Sequence, residues 1–130
     1  MPARRDLRDF GRSLNARADA RTAALFRQAA APSMAEIVLS RFDQNARLKP
    51  VVARLALSDV FHPIDTLRRT ERTARVMWAA YGRGRGGVID RWRLVFAYSA
   101  CVIAWLLDNS PDQRLTRGVV RGALTVIGVR

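Results

Sequence analysis

Lysine is almost missing from this chain: one residue, Lys49, stands against 22 arginines. Histidine and cysteine are as scarce, with His62 and Cys101 the sole examples. A lone cysteine cannot close an intramolecular disulfide, so nothing points to an oxidising compartment and the cytosol is the expected location. Cys101 falls inside an apolar run, where a thiol behaves as a small hydrophobe. His62 stands beside Pro63 with no Cys, Asp or Glu at metal-ligand spacing, which excludes the common zinc patterns. No alternating strand pattern is present, so the glycine-rich segment GRGRGG at 82–87 reads as a mobile turn rather than a P-loop, and too short to be an RNA-binding Arg-Gly repeat. Serines and acids are scattered without the spacing of a catalytic triad. The chain is expected to be no enzyme and to need no cofactor or metal.

Long hydrophobic runs are missing too. The longest, Leu94 to Leu107, has 14 residues, whereas a membrane-spanning helix needs about 20. The first residues, PARRDLRDF, lack the apolar segment of a secretion signal, and LTVIGVR at the other end is too short for an anchor. A soluble chain is expected. Formal net charge is +12, which invites an anionic partner such as nucleic acid or an acidic membrane surface. The arginines, however, are interleaved with acids: residues 1–30 hold seven Arg and three Asp, and residues 61–90 six Arg and three acids. That distribution favours solvated helix faces, and arginine in place of lysine fits a GC-rich genome. The competing reading is a small basic helical protein that binds nucleic acid, with Arg4, Arg5, Arg68 and Arg69 as its contacts.

What is present is helix. Hydrophobic residues make up 49% of the 130 residues, enough for one core and one domain over 1–130. Leu7, Phe10, Leu14, Ala18, Leu25 and Phe26 recur at three, four and seven, predicting an amphipathic helix over 5–30. Pro32 ends it, and Ser33 with Glu36 is a capping box for a second helix carrying Met34, Ile37, Val38, Arg41 and Phe42. That helix fades at Asn45 and stops before Pro50. A short third helix with Val51, Val52, Leu55 and Leu57 is broken at His62-Pro63. A fourth starts near Ile64 or Asp65 and carries Leu67, Val76, Met77, Trp78 and Tyr81. After the glycine turn a fifth runs from about Ile89 to Asp108, apolar on every side, as a central buried helix would be. Asn109 to Asp112 stops and restarts the chain, with Pro111 suited to the first position of a last helix reaching about Val126. Leu115, Val119, Val120, Ala123, Leu124 and Ile127 form its apolar face. The predicted fold is all-α, about six helices around a buried centre. Trp78 and Trp105 read as core, and Trp92, between Arg91 and Arg93, as an interface anchor.

The segment Asp90-Arg91-Trp92-Arg93-Leu94-Val95-Phe96-Ala97-Tyr98, with VMWAAYG at 76–82 before it, resembles the first homology motif of the Bcl-2 apoptosis regulators and the helix that precedes it. Asp90 stands at the motif's Asn and Arg93 at its Arg, while Arg91 and Trp92 replace its Trp and Gly. The resemblance covers residues 68–108. The short chain, without a second homology motif or a C-terminal anchor, is most similar to a viral Bcl-2 homologue. It implies a Bcl-2-like bundle and an apoptosis inhibitor that holds pro-apoptotic BH3 helices of the host in a hydrophobic groove. Arg93 would pair with the ligand's Asp, and Asp90, Trp92, Val52, Leu55, Val60, Phe61, Met77, Tyr81, Val88, Leu94 and Val95 would line or flank the groove. The implied setting is the host cytoplasm, with contact to mitochondria through its partners. A homodimer is expected, because a bundle this short leaves apolar surface without a lid.

Overall fold

The computed structural model describes residues 4–27, 32–59, 62–82 and 87–129. Six α-helices follow one another: α1 Arg4–Phe26, α2 Met34–Gln44, α3 Lys49–Asp59, α4 Pro63–Gly82, α5 Val88–Leu107 and α6 Arg114–Val126, with one 3₁₀ turn, Ala46–Leu48, before α3. No strand occurs among the described residues, so the all-α expectation holds.

Local chemistry sets the helix ends. Ser33 Oγ accepts the Glu36 N–H at 3.1 Å and a Glu36 carboxylate oxygen accepts the Ser33 N–H at 3.2 Å, which completes the capping box at α2. The Asn45 side-chain amide donates to the Arg41 carbonyl at 2.9 Å and closes the other end. Pro63 opens α4 rather than merely ending α3, since its fixed φ and missing N–H suit a first helical position. Pro111 does not do the same for α6. It lies in a turn, and α6 begins at Arg114 after Gln113, whose φ is +56°. Asp108 is the cause: one carboxylate oxygen accepts the Ser110 N–H and hydroxyl, and the other accepts the Thr116 N–H at 2.9 Å and hydroxyl at 2.7 Å. A single side chain thereby holds the α5–α6 corner and delays the helix. At the far end of α6, Gly128 (φ +77°) and Val129 donate back to Thr125 and Leu124, a Schellman stop.

The core gathers Met34, Ile37, Val38 and Phe42 of α2, Met77 and Trp78 of α4, Leu94, Val95, Cys101 and Trp105 of α5, and Val120 and Leu124 of α6. Trp78 and Trp105 are core residues, as their spacing indicated. Two expectations fail here. α1 does not bury Phe10 or Leu25, which are 49% and 52% exposed. Its inward side is built from Ala18 and Thr22, with Asn15 and Asp19 beside them, because a charge on α2 waits opposite. Nor is α5 enclosed. It packs chiefly on α4 and α6, and Phe96 remains 65% and Ile103 58% exposed.

Candidate functional site

Where α1, α2, α3, α4 and α5 converge they leave a cavity of about 540 Å³, neither sealed nor flat. Its floor is aromatic. Phe42 lies between Tyr98 and Trp105, with ring centroids 5.9 Å and 5.1 Å away and planes within 15° and 8° of parallel. Leu14, Val52, Leu55, Leu67, Val102 and Ile103 supply apolar walls. The size suits a small ligand or several side chains of a bound segment. Gly11 marks how near α1 comes to its neighbours: a Cβ there would sit 3.2 Å from the Arg69 guanidinium and 3.6 Å from Leu55.

One end of the cavity is polar, and Arg41 organises it. Its Nη1 meets Asp19 Oδ1 at 2.7 Å and donates to Thr22 at 3.3 Å. Its Nη2 donates to Asn15 at 3.2 Å and Thr73 at 3.5 Å, and its Nε donates to the Tyr98 hydroxyl at 3.0 Å. A guanidinium has five N–H donors, and all five are engaged by groups on α1, α4 and α5. Thr73 adds its own bond to Asp19 at 3.0 Å. Full satisfaction is what permits a cation to be buried, because an unpaired charge in a low-dielectric interior costs several kcal/mol or more.

The titration behaviour follows from that geometry. Burial works against the Arg41 charge, but Tyr98 and the Asp19 carboxylate outweigh it and hold the pKa above the ordinary value. Burial also raises Tyr98, and the nearby guanidinium offsets only part of that. Burial pushes the Cys101 thiol up to about 11, so this cysteine is inert near neutrality. Among the described residues no three His, Cys, Asp or Glu gather as a metal site, and no helix is long and apolar enough to cross a membrane.

Of the residues assigned to a groove from sequence, Val52 and Leu55 line the cavity. Met77, Leu94 and Val95 have no exposed surface, being packed in the core between α4, α5 and their neighbours. Tyr81 lies edge-on to Trp78 at 5.5 Å, and Val88 is 59% exposed. Asp90 accepts the Gly87 N–H at 3.2 Å and so caps the start of α5. Trp92 and Arg93 are exposed on the first turns of that helix, and the α5 residues of the cavity begin only at Tyr98. Val60 and Phe61 lie outside the described residues, as do Arg83 to Gly86 of the glycine turn. The motif and the cavity therefore occupy different parts of α5.

The sequence pattern marks Arg41 on the second helix but not its partners Asp19, Asn15 and Tyr98. One signal was present: Arg41 falls with Ile37, Val38 and Phe42 on the apolar side of α2, where a charge needs a partner. Arg69, expected as a nucleic-acid contact under the competing reading, lines the cavity with Arg41, and among the described residues no acid lines it. Compared with protein-family models, curated proteins and solved structures, the chain matches none.

Proposed function

We propose that this protein is a binding module that captures the apolar side of an amphipathic, acid-bearing helix in the α1–α5 cavity. The observation that carries the reading is the character of the wall: apolar side chains over an aromatic floor, with arginines the only charges among the described residues that line it. A helix lays anchors into such a trough every three or four residues. Arg69, which also donates to the Thr66 hydroxyl at 3.4 Å, is the less buried of the two cavity arginines, and a ligand carboxylate would add to it a charge-assisted bond of about 1.5–3 kcal/mol. The net charge of +12 favours capture of acidic helices in general.

The resemblance of residues 90–98 to the Bcl-2 motif makes BH3 segments of pro-apoptotic host proteins the first ligands to try, and inhibition of apoptosis by sequestration the biological reading. Titration calorimetry against a panel of BH3 peptides tests it. Submicromolar binding is expected, weakened at least tenfold by Leu67→Glu on the cavity wall and by Arg69→Ala. Arg93→Ala, away from the cavity, should leave the affinity within about twofold, less than 0.5 kcal/mol. No heat with any peptide sinks the proposal.

One observation favours a second reading. Arg114, Arg117 and Arg121 are exposed on successive turns of α6, a row able to follow a phosphate backbone. Under that reading duplex DNA or RNA binds with affinity falling steeply in salt, and Arg117→Ala with Arg121→Ala flattens the salt slope.

A further inference from the structure

One side of α5 is left largely uncovered by the other described helices, although Ile103 on it also borders the cavity. Ile89, Phe96, Ile103 and Leu107 are 70%, 65%, 58% and 68% exposed, and Trp92 is 37% exposed. Spaced by three, four and seven, they form a single stripe along a helix about 30 Å long. Exposed Ala100 sits in the middle of the stripe, and Arg93 is its only charged residue. A soluble monomer scatters its exposed hydrophobes or keeps its largest patch within a few hundred Å². Here the five large side chains leave on the order of 600 Å² open, at the upper edge of that range.

We infer that this stripe is the interface with a second copy of the same chain, the two α5 helices packed antiparallel about a two-fold axis. Area is the first argument. Two copies of the stripe offer at most about 1,200 Å² between them, where specific interfaces begin. Shape is the second. An antiparallel pair centred on the stripe sets Phe96 against Ala100 of the second copy, and Ala100 against its Phe96, large facing small twice over. Ile89 then meets the second copy's Leu107 at both ends. Charge is the third. In that arrangement each Arg93 lies beside the other copy's Ile103, where its aliphatic stem can pack. The two guanidiniums are then displaced by about 15 Å along the axis at about 1.5 Å per residue, beyond the screening length of about 10 Å in 0.1 M salt. A parallel pair would set Arg93 on Arg93 and Phe96 on Phe96, repulsive in the first case and overcrowded in the second.

Sedimentation velocity on the full chain reads the outcome. The expected species has twice the 14.6 kDa chain mass. Phe96→Glu should shift it to monomer, raising the dissociation constant at least tenfold. Its helical circular dichroism should match the parent, because so exposed a side chain supports little of its own fold. Register is read by a short bismaleimide linker. Ile89→Cys protein mixed with Leu107→Cys protein should give a covalent dimer, whereas Ile89→Cys alone should not. Cys101, buried and protonated, does not compete. A parent chain that stays monomeric at high micromolar concentration overturns the inference. So does linkage of Ile89→Cys to itself, or a monomer whose Phe96 instead binds it to lipid vesicles.

Discussion

Arg41 is the side chain on which the most depends. It ties α2 to α1, α4 and α5 at once. Arg41→Ala leaves the Asp19 carboxylate, whose side chain is 14% exposed, without its cation. The expected loss is about 3–5 kcal/mol, read as a shift in the urea midpoint. The pair Arg41→Met with Asp19→Leu should recover most of it, since apolar groups of similar volume replace buried ion pairs at little cost. Tyr98→Phe removes the acceptor of the Arg41 Nε proton and should cost about 1–3 kcal/mol for the donor left unsatisfied. Reading α2 as a simple amphipathic helix passes over all of this. A pattern of apolar positions reports which side faces inward, but not that one inward position is a cation whose partners lie on three other helices. Arg41 was visible as an anomaly; Asp19, Thr73 and Tyr98 became its partners only through the fold.

At the scale of elements, the helices legible in the sequence were those whose ends rest on local chemistry, such as the Ser33–Glu36 box and the break at Pro63. Pro111 misled because the start of α6 is decided by Asp108 reaching to Thr116, a contact across eight positions. That carboxylate carries a pH prediction. Hydrogen bonds from Ser110 and Thr116 hold its pKa well below the usual 3.8. A lowered folded value means a contribution fully present above about pH 4 and lost as the pH falls toward the depressed value. The acid limb of unfolding should therefore be shallower in Asp108→Asn, which is also less stable at neutral pH. α6 offers the opposite kind of change. A Cβ at Gly118 or Gly122 would meet nothing within 4 Å. Alanine at either position should stabilise the helix by about 0.5–1 kcal/mol. The double variant should melt several degrees higher in a calorimetric scan.

The molecule as a whole carries its charge spread over helices rather than in one arm. The described ion pairs are few, and most of their members are partly or well exposed. Self-repulsion at +12 should dominate at low ionic strength, so raising salt from about 10 mM to 150 mM should increase the melting temperature. Fold class was legible because helical spacing and the absence of alternation pointed one way over the whole length. The open side of α5 was not, because a helix apolar all round presents the same pattern whether its neighbours cover every side or leave one open. Val52 and Leu55 lay on a helix face that had to turn inward and both line the cavity, while Trp92 and Arg93 stand exposed on the first turns of α5, away from it.

The only lysine has a further consequence. Lys49 is half-buried, its ammonium donates to the Asp108 carbonyl at 2.7 Å and lies 5.7 Å from the centre of the Trp105 ring. Acylating reagents, like any enzyme that conjugates to lysine, meet one side-chain amine already fastened where α3 and α5 join. Labelling with an amine-reactive ester should be slow at Lys49 in the native state and fast in urea, with peptide mass spectrometry reading the difference. A partner that prises α3 from α5 will announce itself as a newly reactive lysine.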